Sequence, residues 1–147
     1  LLVGIGGGMI PIGAGIENRL GGLFNFQLPV EMIGLLLIVL GFVLGAYALI
    51  ENRFFSGVVR IQTERGHHIV DTGPYRWIRH PGYAGAILSY IGIPLLLDSI
   101  WTYLPVVFVT IILLIRTSLE DQTLQKELPD YADYVTRTRY RLIPGVW

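Results

Sequence analysis

One uninterrupted apolar stretch limits the fold more than any other feature of this sequence. Val30 to Ile50 spans 21 residues and carries a single charged side chain, Glu31, close to its start. At about 1.5 Å per residue, a helix of this length crosses a hydrocarbon core of roughly 30 Å. In addition, 52% of the 147 residues are hydrophobic and the mean hydropathy is +0.56. The sequence therefore predicts an all-α integral membrane protein.

Four apolar runs predict about four transmembrane helices. The first run already begins at Leu1, which predicts a helix that is incomplete at its start. The last two runs are separated only by Asp98-Ser99 and predict a C-terminal helical hairpin. Pro94 and Pro105 are expected to kink or shorten its two arms. The helix is expected to continue as a polar segment beyond the fourth run. The runs are Leu1 to Ile16, Val30 to Ile50, Pro81 to Leu97 and Ser99 to Ile115.

Glycines in the first two runs predict close packing of helices, because small residues let two backbones approach. The same faces can hold two copies of the chain together as a homodimer. These glycines are Gly4, Gly7 and Gly8 in the first run and Gly34, Gly41 and Gly45 in the second.

Positive charge is concentrated in two stretches. Ten of the eleven Lys and Arg residues fall within Glu51 to His80 or Arg116 to Trp147, and only Arg19 lies elsewhere. Four crossings place both stretches on one face, which the positive-inside rule makes cytoplasmic. Tyr and Arg recur along the tail, as is typical of a segment at the level of the lipid head groups. We expect residues 1–50 to anchor the chain and residues 51–147 to carry its chemistry.

A polar segment runs directly into an apolar one at residues 72–85. Pro81 suits the first position of a helix, with His80 as the N-cap. The backbone N–H groups of the next three residues are then expected to point out of the helix beside Arg79 and to attract a carboxylate or phosphate. A membrane helix that begins with proline and is anchored by interfacial Arg, His and Tyr accounts for the same residues. His80 itself could be a general base or only a helix cap.

Arg116 and Glu120 lie four residues apart at the end of the last apolar run, on one face of a helix. If the hairpin closes, both return to the level of His80 and Tyr83. Ionisable residues beside a membrane that face a cavity are candidates for function. A simple surface ion pair accounts equally well for the spacing.

Several other kinds of site are not predicted. His67 and His68 have no suitably spaced third ligand, so we predict no metal site. The net charge of zero gives no indication of a nucleic-acid partner. Without Cys there can be no disulfide, thiolate zinc site or cysteine nucleophile. No Ser-His-Asp order, Walker loop or dinucleotide glycine pattern is present.

Four motifs follow one another in a fixed order. They are Gly73-Pro74-Tyr75, Arg79 to Tyr83 with Gly85, Arg116 with Glu120-Asp121, and the tail from Tyr131 to Pro144. In their order and spacing, these motifs resemble the isoprenylcysteine carboxyl methyltransferase family, within the integral-membrane phospholipid methyltransferase superfamily. The resemblance covers residues 52–147 and implies a multi-helix membrane enzyme that transfers a methyl group from S-adenosylmethionine to a lipophilic acceptor. The family name suggests an isoprenylcysteine carboxylate as that acceptor, and another lipid, a small thiol or an isoprenoid acid stays open as the alternative. The apolar hairpin predicts that the acceptor can arrive through the bilayer.

The resemblance also implies roles for individual residues in a cofactor pocket formed by the polar loop and the tail. Glu120 would contact the cofactor and act in catalysis with Arg116, which would hold the carboxylate of the acceptor. The family's acidic pair is Glu-Glu, whereas this chain has Glu120-Asp121, which leaves the role of Asp121 open. The other residues implied at the cofactor are Gln62, His67, His68, Ile69, Val70, Tyr75, Arg79, His80, Pro81, Gly82 and Tyr83.

Two alternatives stay open. Sterol-type, NADPH-dependent membrane reductases look similar in their last helices, and Arg76 and Arg79 could hold the 2′-phosphate of that cofactor. A non-enzymatic membrane scaffold could bind a partner through the same loop and tail. Substitution of His80 or Glu120 separates these classes, because either enzyme should lose its cofactor and a scaffold should tolerate the change.

Overall fold

The computed structural model describes residues 2–22, 25–56 and 61–147, and within them all regular structure is helical. The predicted all-α class is therefore confirmed. Two short 3-10 turns, Thr63–Arg65 and Gly73–Arg76, lie between the second and third helices. The α-helices are α1 (Leu2–Arg19), α2 (Leu28–Glu51), α3 (Pro81–Leu96), α4 (Tyr103–Glu127) and α5 (Tyr131–Arg137).

Helices α2 and α4 are long and apolar enough to cross a membrane. They have 24 and 25 residues, and their most apolar windows have mean hydropathies of 2.7 and 1.7. Only 17% and 22% of those windows are buried within the protein, whereas the core helix of a soluble domain is mostly buried. Their exposed faces therefore suit an apolar surrounding. Helices α1 and α3 have 18 and 16 residues, so the total of four crossings stays a prediction.

The connection inside the predicted hairpin is longer than two residues. The prediction that its second arm begins at Ser99 is wrong, because the Ser99 hydroxyl donates to Glu17 outside any helix. Asp98, immediately before it, has a φ of 53° and accepts a hydrogen bond from the Phe26 N–H at 2.9 Å. Helix α4 starts four residues later and then continues past Arg116 without a break, as predicted.

Contacts divide the chain into two compact units. In the first, α2 and α3 meet backbone to backbone at glycines. A Cβ atom on Gly34 would lie 2.7 Å from the Gly92 carbonyl oxygen, and one on Gly41 would overlap the Gly85 carbonyl oxygen. The predicted small-residue face of α2 is thus used within the chain at these two positions, whereas Gly45 faces open space. The first unit comprises the described residues of 1–43 together with Gly85–Leu114. The second unit comprises the described residues of Leu44–Ala84 together with Ile115–Trp147.

The predicted close packing of the α1 glycines is seen at Gly7 but not at Gly4 or Gly8. Gly7 packs near the Tyr90 hydroxyl, since a Cβ atom there would lie 3.0 Å from that oxygen. Gly6 packs against Val109 of α4. Gly4 and Gly8 have nothing within 4 Å, so they form no close helix contact in the described part of the chain, and their use in a homodimer stays a prediction.

Candidate functional site

A cleft in the second unit gathers most of the residues implied at the cofactor. Of the twelve, ten line the cleft, and the exceptions are Gln62 and Pro81. Arg116, assigned to the acceptor, is also absent from the lining. The sequence did not predict the remaining lining residues, which are Asn52, Phe54, Phe55, Ser56, Ile61, Thr123, Leu124, Leu128, Tyr131 and Tyr134.

The loop that carries the two adjacent histidines is organised around buried Gln62. Its side-chain Nε2 donates to the Phe54 carbonyl oxygen at 2.7 Å, and its Oε1 accepts from Arg65 at 2.7 Å. Its backbone N–H donates to Nδ1 of His67 at 3.2 Å. Gln62 is only 2% exposed. Its contacts therefore fix the loop, and they hold His67 in place.

His67 is held as a neutral ring with a defined tautomer. Its ring stacks on Phe54 with centroids 4.5 Å apart. Burial lowers the pKa of His67, and the neighbouring His68 lowers it further. Because Nδ1 accepts a hydrogen bond, the proton of the neutral ring is on Nε2. His68 is exposed, and its Nδ1 contacts the Gly66 carbonyl oxygen at 3.0 Å, so that nitrogen is the donor.

The start of α3 differs in one respect from the expected anion site. Pro81 is the first helical residue, as predicted. However, the N–H groups of Tyr83 and Ala84 both donate to the His80 carbonyl oxygen at 3.1 Å. The expectation that these two groups point out of the helix towards a ligand is therefore wrong. The Phe55 ring also covers Gly82, since a Cβ atom there would lie 2.5 Å from it.

Arg79 is committed to contacts within the protein. Its side chain is 4% exposed, and Nε and Nη2 donate to the carboxylate of Asp121 at 2.8 and 3.1 Å. Nη1 donates to the carbonyl oxygens of Thr138 and Arg139, each at 2.8 Å. Although Arg79 borders the cleft, its guanidinium ties α4 to the tail. Its assignment to the cofactor stays a prediction.

Asp121, whose role the sequence left open, is the most highly connected side chain of the site. It has no exposed surface and accepts hydrogen bonds from the polar loop, from α4, from α5 and from the tail. Such a carboxylate fixes the position of every group that donates to it. The donors are Arg79, Arg141 Nε (3.0 Å), the Tyr131 hydroxyl (3.0 Å), Gln125 Nε2 (3.0 Å) and, at a longer 3.5 Å, His80 Nε2.

The Tyr83 hydroxyl joins the two residues assigned to catalysis. Nε of Arg116 donates to it at 2.6 Å, and it donates in turn to Oε2 of Glu120 at 2.7 Å. Arg116 and Glu120 thus lie at the level of Tyr83, as the sequence predicted. The His80 ring stacks on Tyr83 with centroids 5.9 Å apart and an interplanar angle of 12°. The constellation joins a cation, a phenol and a carboxylate, and the phenol and the carboxylate line the cleft.

Aromatic residues of α5 support Tyr75. The Tyr134 hydroxyl donates to the Tyr75 carbonyl oxygen at 2.7 Å, and Tyr134 packs with Leu128 and Tyr131 in a small buried cluster. The Tyr75 hydroxyl is buried and donates to the Ala48 carbonyl oxygen at 3.3 Å. Burial raises the pKa of Tyr75 to about 12, so its hydroxyl stays protonated at neutral pH.

The local sequence around the missed lining residues had suggested other roles. Tyr131 and Tyr134 belong to the Tyr- and Arg-rich tail, which predicted a position among lipid head groups. The sequence held one signal for Asp121, which is that arginines cluster in the loop and in the tail. A carboxylate that is buried among them needs several such donors. Only the fold shows that those donors converge on it.

Comparison with known proteins assigns the family. Residues 30–130 match the model of the phospholipid methyltransferase family, which is more than half of the chain. The chain belongs to this family. A probable protein-S-isoprenylcysteine O-methyltransferase of Oryza sativa subsp. japonica is 35% identical over 69 residues, which cover 46% of this chain and 36% of that protein. The protein-S-isoprenylcysteine O-methyltransferase of Saccharomyces cerevisiae is 35% identical over 79 residues, or 51% and 33% of the two chains. The resemblance inferred from the sequence is thereby confirmed.

Two further similarities extend over most of this family member. A mouse Delta(14)-sterol reductase is 28% identical over 132 residues, 82% of this chain and 32% of its own length. The solved structure of a eukaryotic intramembrane Ras methyltransferase, an isoprenylcysteine carboxyl methyltransferase, superposes with a TM-score of 0.76 at 24% identity. That match covers 97% of this chain and 52% of the solved one, and it establishes the shared fold. The chain spans about a third of the length of the curated relatives it matches.

Proposed function

We propose that this protein is an integral-membrane, S-adenosylmethionine-dependent methyltransferase that methylates the carboxylate of a lipophilic acceptor of the isoprenylcysteine type. The observation that carries the proposal is the Tyr83 hydroxyl between Arg116 and Glu120. It places a group suited to an anionic acceptor beside a group suited to the cofactor. Membership of the phospholipid methyltransferase family supports the same reaction class.

The cleft fits the charges of the cofactor. Glu120 uses one oxygen for Tyr83, and its carboxylate can accept further hydrogen bonds from an ammonium or from ribose hydroxyls. Neutral His67 offers Nε2–H as a donor to the cofactor's carboxylate. The lining rings of Phe54, Tyr131 and Tyr134 supply apolar area for an adenine. We assign these contacts together with the twelve cofactor positions inferred from the sequence.

The reaction asks for positioning rather than for a nucleophilic side chain. The cofactor supplies an activated methyl group, whose bond to sulfur breaks as an acceptor oxygen bonds to the methyl carbon. Arg116 would hold the acceptor carboxylate by charge-assisted hydrogen bonds, and Tyr83 would fix the direction of its guanidinium. A carboxylate has no proton to lose, so no general base is required. Orientation and exclusion of water can then provide most of the acceleration.

The membrane placement is part of the proposal. With α1, α2, α3 and α4 all crossing the bilayer, the two arginine-rich stretches lie on one face, and the positive-inside rule makes that face cytoplasmic. The cleft lies in the unit that contains both stretches. The acceptor would then reach Arg116 from the bilayer.

Ligand binding to the purified protein in detergent tests the proposal. Calorimetry should show micromolar binding of S-adenosylhomocysteine and none of NADPH. Glu120→Gln should weaken that binding at least tenfold, because a neutral amide cannot pair with an ammonium. Glu127→Gln is the matched control, since Glu127 is an exposed carboxylate on the same helix. Failure of folded protein to bind either compound would favour a scaffold.

A sterol-type reductase is the second candidate, favoured by the similarity to the mouse reductase over 82% of this chain. The two enzymes differ in the charge that their cofactors require. NADPH carries a 2′-phosphate, which calls for unpaired arginines at the cleft. Arg79 is fully engaged with Asp121 and two carbonyl oxygens, and Arg76 lines a separate groove instead of the cleft. Binding of NADPH alone in the same calorimetric experiment would establish this candidate instead.

A further inference from the structure

A basic and aromatic groove lies outside the cleft, in the second unit. It has a volume of about 300 Å³ and is formed by the second 3-10 turn and the tail. We call it the arginine groove. Arg76, Arg137 and Arg139 line it together with Trp77 and Tyr140.

The arginine groove carries uncompensated positive charge. Arg137 is paired with Asp71 at 2.9 Å in an exposed ion pair. Among the residues that the structure describes, Arg76 and Arg139 have no carboxylate partner, and no acidic side chain lines the groove. Two guanidinium groups on one concave surface favour an anion that accepts several hydrogen bonds, such as a phosphate diester.

The backbone of the groove is held in place from behind. Arg79 donates to the carbonyl oxygens of Thr138 and Arg139, both at 2.8 Å. The Thr138 hydroxyl reaches the Arg76 carbonyl oxygen at 3.4 Å, so the two walls are connected directly. A ligand would therefore meet walls that are already positioned, which reduces the entropic cost of binding.

The groove also lies at the start of an apolar helix. Trp77 precedes the first residue of α3 by only four positions, and its side chain is 68% exposed. The tail is tied to the same segment, because the Arg79 N–H donates to the Tyr140 carbonyl oxygen at 2.9 Å. Exposed Ile143 and Val146 add apolar surface on the tail. Exposed tryptophan, tyrosine and arginine beside the end of a membrane helix are typical of the head-group region.

We propose that the arginine groove binds the head group of an anionic phospholipid. Arg76 and Arg139 would contact the phosphate, and Trp77 would lie among the glycerol and acyl ester groups. This inference rests on the membrane placement given under the proposed function. A lipid is favoured over a free phosphate because the exposed indole and the apolar residues of the tail have a role only for an amphiphile.

The test compares lipid retention in two charge-matched double variants. Protein in nanodiscs of phosphatidylcholine with added phosphatidylglycerol is analysed by native mass spectrometry, and the ratio of the two retained lipids is measured. R76Q/R139Q removes two charges from the groove, and R19Q/K126Q removes two exposed charges elsewhere. We expect the preference for phosphatidylglycerol to fall about fivefold per arginine, or roughly 25-fold in R76Q/R139Q, and to be unchanged in R19Q/K126Q.

Three results would overturn the proposal. In the first, the unsubstituted protein retains both lipids equally. In the second, R76Q/R139Q keeps the preference for phosphatidylglycerol. In the third, an excess of inorganic phosphate abolishes that preference as completely as an excess of competing lipid does. The last result would identify a free phosphate site. Binding of S-adenosylhomocysteine, measured in the same preparations, reports separately on the proposed function and should be the same in both double variants.

Discussion

Arg79 and Asp121 lie 42 residues apart in the sequence and form a buried ion pair with two hydrogen bonds, at 2.8 and 3.1 Å. The pair joins the segment before α3 to the last turns of α4. Since Asp121 also binds Arg141 and Tyr131, one carboxylate connects the segment before α3 with α4, α5 and the tail.

Substitution of Asp121 should destabilise the protein. Asp121→Asn leaves the buried Arg79 guanidinium without a counter-charge, and breaking such a pair costs about 3 kcal/mol or more. We expect the free energy of unfolding in detergent to fall by about that amount. Asp133→Asn, at an exposed position on α5, is the control and should change it by less than about 0.5 kcal/mol. Equal effects of the two changes would contradict the role of Asp121.

Removal of the Tyr83 hydroxyl should affect catalysis more than stability. In Tyr83→Phe the contacts of that hydroxyl with Arg116 and Glu120 are lost, but the ring is kept. We expect kcat for methyl transfer to fall about 10- to 100-fold, because small errors in position are costly in a displacement reaction. Tyr47→Phe on the exposed surface of α2 should leave kcat unchanged. An unchanged kcat in Tyr83→Phe would show that the hydroxyl does not position Arg116.

His67 should make stability depend on pH. Its pKa is lowered from 6.5 in the folded protein, so the unfolded chain binds more protons between the lowered value and 6.5. Above pH 6.5 the His67 ring is neutral in both states, so it does not reduce the free energy of unfolding. That free energy falls as the pH decreases below 6.5, because the unfolded chain then binds more protons. Thermal unfolding between pH 7.5 and 5.5 should show this decrease, and His67→Gln should reduce it. His68→Gln should reduce it less, because burial is the larger cause. A pH profile identical in all three proteins would refute the assignment.

The glycine contact between α2 and α3 should discriminate between two alanine substitutions on one helix. Gly41→Ala forces a Cβ atom onto the backbone of α3, whereas Gly45→Ala meets open space. We expect Gly41→Ala to lower the free energy of unfolding by about 1–3 kcal/mol. Gly45→Ala should be neutral or slightly stabilising because alanine is the better helix former. Equal thermal unfolding of the two variants in detergent would contradict the packing described.

Local rules predicted the features of this fold that depend on neighbouring residues. Proline at the first helical position gave the start of α3, and the long apolar run gave α2. The late start of α4 could not be predicted, because it depends on Ser99 reaching Glu17, 82 residues away. The N–H groups of Tyr83 and Ala84 were wrongly left open, although their acceptor, the His80 carbonyl oxygen, is local. The Phe55 ring that covers Gly82 lies in a distant segment, so its position could not be predicted. Which residues bind the cofactor stays a prediction from the family resemblance.

The partners of Asp121 also set an order of events during synthesis. Residues up to Glu127 can form α4 as soon as they have left the ribosome, but the donor from Arg141 lies 20 residues beyond the carboxylate. Until that residue has emerged, Asp121 and Arg79 lack the tail that encloses them. The cleft is therefore completed only after α2 and α4 have been synthesised, so a nascent chain has its two long apolar helices before it has a place for a ligand.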